Sequence, residues 1–245
     1  MEAVVHQEHD DPDHWWFRAR RAIFDDVLDG RVPLGPNARI LDVGPGSGVN
    51  LPVLAPRGRV VTLDVAAGSL QNCAAKGATP VRGDATAAPF ADGSFQLIAA
   101  LDVLEHLEAE TAALSEWRRL LADDGKLLLS VPALQLLWGR QDVLAMHHRR
   151  YGRRELAQKL RAAGFELERL TYFNSLLFAP ILALRLAMRP LLDRAHSGGS
   201  DLGLRLPRPL EQLLYHTFAV ERHWVVDRNL PLGVSLLALA RPVVR

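Results

Sequence analysis

The sequence predicts an α/β protein with a mostly parallel sheet, and three observations support that fold class. Short apolar segments alternate with helix-like segments from Ala38 onward. Such alternation is typical of βαβ crossovers, which cover both faces of a parallel sheet. The 245 residues suffice for one large domain of this kind. A content of 49% hydrophobic and 23% charged residues excludes a disordered or collagen-like chain.

The predicted elements follow in chain order. The segment His14–Leu28 has apolar residues at helical spacing with arginines between them, and the prolines and glycines of 30–37 end that helix. A helix at Arg153–Ala163, closed by Gly164, and a final helix at Pro209–Val220 are also predicted. Seven apolar segments predict strands: Arg39–Val43, Arg59–Leu63, Thr79–Arg82, Phe95–Leu101, Lys126–Val131, Phe165–Thr171 and Val234–Ala240.

Charge and cysteine content exclude several classes of protein. The single cysteine, Cys73, excludes a disulfide scaffold and a thiolate-rich zinc site. The first twenty residues lack the features of a signal peptide, so we expect a cytoplasmic protein. Residues through Ala133 contain 12 Lys and Arg against 19 Asp and Glu, whereas the remainder contains 17 against 9. This split indicates either an anionic ligand in the second half or a basic solvated face.

Three strand ends carry the residues of a nucleoside site. The first strand ends at Val43 and is followed by three alternate glycines, which allow the backbone to turn sharply and approach a ligand. Asp64 ends the second strand and Asp84 follows the third. In a parallel sheet these ends lie at one edge, where ligands bind near the switch point of the strand order. The alternative for each carboxylate alone is a helix cap.

At these residues the sequence resembles the class I S-adenosylmethionine-dependent methyltransferases. The resemblance implies a Rossmann-like fold with a seven-stranded, mostly parallel sheet, one antiparallel strand and helices on both faces. It also implies three parts: a lid helix and linker at 1–37, a cofactor-binding core at 38–174, and a helical insertion with a final strand at 175–245 that completes the same domain. The segments that carry the resemblance are Leu41–Gly48, Asp64, Gly83–Ala85, Pro89–Phe95, Leu101–Leu107 and Leu120–Val131.

The resemblance implies S-adenosylmethionine as cofactor and assigns its binding residues. These are Asp42, Gly44, Pro45, Gly46, Gly48, Asp64, Val65, Asp84, Ala85, Leu101 and Asp102, with Arg18 or Arg21 reaching its carboxylate from the lid helix. Two alternatives stay open: a methyltransferase-like scaffold without catalytic activity, and an NAD-dependent oxidoreductase. The oxidoreductase fingerprint places its third glycine five residues after the first, whereas Gly48 is four residues after Gly44.

Asp102, Glu105 and His106 would share one face if they lie on a helix. They resemble the metal-binding cluster of quinone-biosynthesis O-methyltransferases and small-RNA 3′-end methyltransferases, although Asp102 is shorter than the glutamate often found there. We therefore predict no metal and assign His106 as a catalytic candidate, with a divalent ion as the alternative.

A second group of polar residues follows the fifth strand. His147 and His148 are further candidates for a base, and Trp138, Arg149, Arg150 and Tyr151 for acceptor binding. The alternative is a solvated loop before the helix at Arg153.

The apolar segment 175–192 is interrupted by Arg185 and is too short to predict a membrane span. It predicts a membrane-interface helix, a lid over an apolar substrate, or a helix buried in the domain. We thus expect a small-molecule or lipid-like, anionic acceptor and no nucleic acid. Peripheral contact through 175–192 would place the protein at the inner face of a membrane.

Overall fold

The computed structural model describes residues 12–192 and 206–243, without the side chains of 188–192. The segment 194–204, whose glycines and serines predict a loop, lies outside the described residues. Seven strands form one sheet in the order β3-β2-β1-β4-β5-β7-β6. The strands are β1 (Arg39–Val43), β2 (Arg59–Asp64), β3 (Thr79–Arg82), β4 (Phe95–Leu101), β5 (Leu121–Pro132), β6 (Phe165–Phe173) and β7 (Ser235–Pro242).

The pairing of these strands confirms the predicted fold class. Strands β1 to β5 pair in parallel, and β7 is antiparallel to both of its neighbours, β5 and β6. Strand β5 starts earlier than predicted, at Leu121, and its register against β4 shifts between Phe95 and Leu97. The carboxyl ends of β1 to β6 therefore lie at one edge of the sheet, called the carboxyl edge below.

The helices connect the strands across both faces of the sheet. The described helices are α1 (Trp15–Arg31), α2 (Leu51–Leu54), α3 (Ala67–Ala75), α4 (Glu110–Leu120), α5 (Arg140–Leu144), α6 (Arg153–Ala162), α7 (Phe178–Leu192), α8 (Arg208–Ala219) and α9 (Arg222–Val225). Single 3₁₀ turns occur at Ala55–Arg57, Leu104–His106 and Gln135–Leu137. Within the described ranges, no helix combines the length and the apolar character needed to cross a membrane.

The strands separate two hydrophobic layers. On β1, Ile40 belongs to the layer under α1, whereas Leu41 and Val43 belong to the layer under α4 and α6. A strand that is buried on both faces reads as a continuous apolar segment, which is why the sequence predicted β1 so well. On the first face, Phe24 of α1 packs against Phe173 of β6 with ring centroids 5.9 Å apart. Helix α1 is thereby fixed across the sheet, with its first turns at the carboxyl edge.

Candidate functional site

The glycine-rich loop lies between β1 and α2 at the carboxyl edge. Gly44, Gly46 and Gly48 all have positive φ angles, of 60°, 56° and 77°. A Cβ atom added at Gly44 would lie 2.8 Å from a methyl carbon of Val103, so this position has no room for a side chain. The chain after the loop forms only the single helical turn α2, which a 3₁₀ turn extends.

Three predicted carboxylates stand around this loop. Asp42 is buried beneath it, and burial together with the charge of Asp64 raises the pKa of Asp42 to about 7. Asp64 Oδ1 accepts a hydrogen bond from the Ala66 N–H at 2.8 Å. Asp84 Oδ1 accepts from the Thr86 N–H and hydroxyl, both at 2.7 Å, and these bonds lower the pKa of Asp84. One oxygen of Asp64 and one of Asp84 thus stabilise the local turns. Neither caps a helix as the alternative expected, because Ala66 caps the helix after Asp64 without a side-chain bond and no helix is described between β3 and β4.

The residues next to these carboxylates differ in exposure. Val65, directly after Asp64, is 62% exposed, an unusual environment for an apolar side chain at a strand end. Pro45 is buried in the glycine-rich loop, and Leu101 is buried at the end of β4. Ala85 is half-buried, and its carbonyl accepts a hydrogen bond from the Trp117 indole at 3.0 Å.

Arg20, rather than Arg18, reaches the carboxyl edge from α1. Arg20 Nη1 lies 2.5 Å from Asp102 Oδ2, and Nη2 donates to the Ser130 hydroxyl at 3.1 Å. The same hydroxyl donates to Asp102 Oδ1 at 2.9 Å, which closes a three-residue network. The exposed Arg18 instead lies over the ring of Tyr215, 4.6 Å from its centroid. Arg18 therefore takes no part in this network, and Arg20 is the arginine of α1 that lies beside Asp102.

The periodicity of α1 contains the signal that identifies Arg20. Counting in helical steps from Trp16, the next residues on the buried stripe are Arg20, Ile23 and Val27. An arginine inside an apolar stripe is expected to have a buried partner, which distinguishes Arg20 from Arg18 and Arg21 on the same helix. Arg21, the other lid candidate, donates to the Val49 carbonyl at 3.3 Å and fastens α1 to the glycine-rich loop.

Unsatisfied polar atoms at this edge indicate a polar ligand. Among the described residues, no hydrogen-bond partner is present for the buried atoms Arg20 Nε, Asp42 Oδ2 and Ser47 Oγ. Buried polar atoms normally have a hydrogen-bond partner. Unpaired donors and acceptors that are grouped at one edge therefore suit a ligand that carries both a positive and a negative charge. An amino acid attached to a nucleoside has an amine, a carboxylate and ribose hydroxyls. The residues present therefore fit S-adenosylmethionine.

Beyond Asp102, two histidines and one glutamate form the acid–histidine cluster: Glu105, His106 and His147. One ligand-type atom from each lies within 4.8 Å of the others, which is close enough to hold a cation or a polar group. The rings of His106 and His147 meet edge to face, with centroids 4.8 Å apart. Glu105 is fully buried, and burial together with the charge of Asp102 raises its pKa well above the usual range.

The predicted common face of Asp102, Glu105 and His106 is not formed. Asp102 has a φ of 59°, and only Leu104–His106 forms a 3₁₀ turn. This geometry separates Asp102 from Glu105 and His106 and places its carboxylate beside the Arg20 guanidinium. The third member of the cluster is His147, which comes from the segment after α5.

Helix α5 and the segment after it are joined by a buried carboxylate, Asp142. Asp142 Oδ1 lies 2.9 Å from His147 Nδ1 and accepts from Arg150 Nε at 2.7 Å. Arg150 is buried and also donates to the Ala133 carbonyl at 3.0 Å. The expected contact of Arg150 with an acceptor is therefore wrong, because its guanidinium is enclosed by protein groups.

Tyr151 is likewise enclosed. Its hydroxyl donates to Glu110 Oε2 at 2.9 Å, and burial together with Glu110 raises its pKa above the usual range. The prediction that Tyr151 binds the acceptor is wrong for the same reason. Arg149 lies 3.0 Å from Glu110 but remains partly exposed, as Trp138 does, and His148 is exposed.

An apolar cluster covers the same edge beyond β5. Its buried members are Leu137, Phe178 and Val234, and its partly buried members are Trp16, Leu134, Ile181 and Leu182. Phe178, Ile181 and Leu182 come from α7, the helix of the apolar segment. Two further leucines of that helix are exposed, Leu184 by 61% and Leu186 by 44%. Helix α7 is thus only partly buried in the domain.

Comparison with known proteins agrees with this geometry. Residues 41–129, from β1 to β5, match the methyltransferase domain family. This segment carries a class I methyltransferase domain. Class I domains use S-adenosylmethionine as methyl donor, which sets the oxidoreductase alternative aside.

The curated relatives of this methyltransferase domain include two named kinds of enzyme. Malonyl-[acyl-carrier protein] O-methyltransferase of Methylococcus capsulatus is 34% identical over 166 residues, which cover 62% of this chain and 60% of the relative. Demethylmenaquinone methyltransferase of Mycolicibacterium vanbaalenii is 32% identical over 118 residues, 48% of each chain. The matched stretches thus span about half to three fifths of these relatives.

Solved structures share the fold over nearly the whole chain. The methyltransferase in complex with the Haloferax volcanii Trm112 methyltransferase activator aligns with a TM-score of 0.64 and 17% identity, covering 100% of this chain and 96% of that one. A geranyl diphosphate methyltransferase in complex with S-adenosylmethionine aligns with a TM-score of 0.59 and 14% identity, covering 92% and 85%. At these identities the likeness establishes the fold alone.

Proposed function

We propose that this protein transfers the methyl group of S-adenosylmethionine to a small, anionic and lipid-like acceptor. The observation that carries the proposal is the linear order of groups along the carboxyl edge. In the strand order of the sheet, Asp84 comes first, then Asp64, the glycine-rich loop, Asp102 and Ser130. This order matches an elongated ligand with a nucleoside at one end and an amino acid at the other.

The chain's own residues would hold each part of this cofactor. Asp64 would accept from the ribose hydroxyls with lone pairs that its bond to Ala66 leaves, and Asp84 would accept from the adenine amine. The exposed side chain of Val65 would cover the adenine ring. Asp102 would bind the amine, and Arg20, through its unsatisfied Nε, would bind the carboxylate.

When bound, S-adenosylmethionine supplies an electrophilic methyl group on its sulfonium. Transfer of a methyl group is an in-line displacement, so the protein's part is to align the acceptor and exclude water. A hydroxyl acceptor must also lose its proton. His106 and His147 are the bases we assign to that step, because they lie in one cluster next to the Asp102 end of the cofactor site.

The surroundings of the histidines support an acceptor with an apolar chain and a negative charge. The apolar cluster offers a surface of aromatic and aliphatic side chains at the same edge. With Arg150 enclosed, the partly exposed Arg149 and the exposed His148 remain to attract an anion. The named relatives act on malonyl-[acyl-carrier protein] and demethylmenaquinone, and we take a small acceptor of comparable kind for this chain.

The exposed leucines of α7 extend the proposal to a membrane surface. Leu184 and Leu186 are exposed and do not belong to the apolar cluster. A helix that exposes apolar side chains can lie at a lipid interface, where lipid-like acceptors are concentrated. We therefore propose peripheral contact through α7 rather than insertion.

The direct test uses S-adenosylmethionine with an isotopically labelled methyl group. The protein is incubated with separate lipid and aqueous fractions of a bacterial extract, and labelled products are identified by mass spectrometry. We expect labelled product in the lipid fraction that depends on His147. Cofactor binding without label transfer in any fraction would support the non-catalytic scaffold instead. Label confined to a polar acid would retain the methyltransferase and exclude the lipid-like acceptor.

A further inference from the structure

Asp142 is a buried carboxylate that four hydrogen-bond partners surround. It lies in the first turn of α5, where Oδ2 accepts from the N–H of Gly139, the residue that caps this helix, at 2.8 Å. The same oxygen accepts from Arg185 Nη1 of α7 at 3.1 Å. Oδ1 accepts from Arg150 Nε at 2.7 Å and lies 2.9 Å from His147 Nδ1. Three donors, from Gly139, Arg150 and Arg185, therefore bind this carboxylate in addition to His147.

These partners keep Asp142 ionised. Burial raises its pKa, but the hydrogen bond to His147, the charge of Arg150 and the bond from Gly139 outweigh burial and hold the pKa well below its usual range. An ionised carboxylate can only accept hydrogen bonds. The atom that faces it, His147 Nδ1, must therefore carry a proton, and in the neutral ring the lone pair is left on Nε2.

The other nitrogen of His147 faces the acid–histidine cluster. His147 Nε2 lies 3.9 Å from Glu105 Oε1, which is too long for a hydrogen bond, and the ring packs against His106. A lone pair at this position can accept a proton from an acceptor or bind a cation, whereas an N–H can do neither. The tautomer of His147 therefore decides what the cluster can do.

We propose that Asp142 is a positioning residue that holds His147 in its Nδ1–H tautomer and so presents the Nε2 lone pair to the acid–histidine cluster. The catalytic consequence rests on the proposed function, but the tautomer itself does not. Arg185 and Arg150 anchor the carboxylate from two sides, so that Asp142 cannot turn away from the imidazole. The enclosed Arg150 thus acts through Asp142 rather than on an acceptor.

The variant Asp142→Asn makes a specific prediction about this tautomer. Gly139, Arg150 and Arg185 are obligate donors, so an amide NH₂ placed at the Oδ2 position would face two donors. At the Oδ1 position the amide NH₂ would face one obligate donor, Arg150, and one further partner, His147. Of the four partners, His147 is the one that can become an acceptor. We therefore expect the amide to donate to Nδ1 and to move the imidazole proton to Nε2.

The experiment is long-range ¹H–¹⁵N NMR on protein labelled at histidine, at about pH 8.5, where an ordinary imidazole is neutral. The His147 signals are assigned by their loss in His147→Gln. We expect the Nδ1–H tautomer in the parent and the Nε2–H tautomer in Asp142→Asn. Arg185→Met, the matched control, removes one donor from Oδ2 without offering a proton to Nδ1 and should retain Nδ1–H.

An Nε2–H tautomer in the parent, or an unchanged tautomer in a folded Asp142→Asn protein, overturns the inference. If Asp142→Asn does not fold, the parent spectrum still decides, because only Nδ1–H agrees with the proposal. The measurement needs neither acceptor nor methyl transfer. A wrong proposed function would therefore leave these spectra as expected, whereas a wrong role for Asp142 would change them.

Discussion

Arg20 in the first helix and Asp102 at the end of β4 form an ion pair with an N–O distance of 2.5 Å. Both belong to the edge that we assign to S-adenosylmethionine, and the Ser130 hydroxyl bridges them. The pair fastens α1 over the sheet and keeps two opposite charges next to the glycine-rich loop. An amino acid zwitterion can exchange with such a pair without leaving either charge unpartnered.

The first prediction concerns the Arg20 guanidinium. Arg20→Gln should lower the affinity for S-adenosylmethionine by roughly 10- to 100-fold, since a hydrogen bond between charged groups contributes about 1.5–3 kcal/mol. Isothermal titration calorimetry measures this change. Arg18→Gln is the matched control and should remain within about twofold, because Arg18 lies over Tyr215 away from the pair.

Decarboxylated S-adenosylmethionine separates this role from a general disturbance of the site. If Arg20 binds the carboxylate, parent and Arg20→Gln proteins should bind the decarboxylated compound with similar affinity. Equal losses for both compounds would mean that the substitution disturbs Asp102 and that Arg20 does not contact the carboxylate.

The second prediction concerns the ribose. Asp64→Ala should remove two charge-assisted hydrogen bonds and cost on the order of 2–4 kcal/mol of affinity for the cofactor. Calorimetry measures this loss of affinity. Asp124→Ala is the control, because Asp124 is exposed on β5 away from the carboxyl edge. An affinity equal to that of the parent would remove Asp64 from the site.

The sequence predicted the strands and the position of the glycine-rich loop, Asp64 and Asp84 at strand ends, because these features depend on local patterns. Strands buried on two faces appear as apolar segments such as β1, and the glycine-rich loop needs positive φ angles at fixed spacing. The partners of single charged residues depend on tertiary packing instead. Ser130 lies 110 positions from Arg20 along the chain, and no spacing rule connects such residues.

The burial of Arg150 and Tyr151 escaped prediction for the same reason. In the sequence both belong to a polar segment that is typical of a solvated or binding loop. Their buried environments come from Asp142 in α5 and Glu110 in α4, which the fold brings against that segment. The carboxylates were visible in the sequence, but their distances to these residues were not.

The third prediction concerns stability and pH. Because the pKa of Asp42 is raised to about 7 in the folded protein, the folded state binds more protons than the unfolded state between about pH 4 and 7. The contribution of Asp42 to the free energy of unfolding should therefore fall as pH rises through this window, by up to roughly 4 kcal/mol. Asp42→Asn should remove this dependence.

Urea unfolding of cofactor-free protein at several pH values measures the effect. The free energy of unfolding of Asp42→Asn minus that of the parent should increase steadily as the pH rises. For Asp124→Asn this difference should stay constant. A constant difference between Asp42→Asn and parent across the window would contradict a raised pKa for Asp42.

The fourth prediction addresses a metal at the acid–histidine cluster. Asp102 is engaged by Arg20, so the cluster keeps only Glu105 and two histidines, and we expect methyl transfer to survive extensive chelation. Under the same conditions His106→Ala should lower turnover by roughly 10²- to 10⁴-fold, as expected for loss of a base. Activity that disappears with chelator and returns with magnesium or zinc would instead identify Glu105, His106 and His147 as metal ligands.

The last prediction concerns the exposed leucines of α7. Leu184 and Leu186 are in contact with solvent, whereas Leu182 packs in the apolar cluster, so the first two can be changed without disturbing the core. The parent should float with vesicles that contain phosphatidylglycerol, and the double variant Leu184→Glu with Leu186→Glu should not, because buried carboxylates are costly at a lipid interface.

Val243→Glu is the control: Val243 is 46% exposed, close to the 44% of Leu186, but follows β7 at the opposite edge of the sheet. It should float like the parent. Flotation of the double variant, or none by the parent, would exclude α7 as a membrane contact and leave the apolar cluster alone to bind the acceptor.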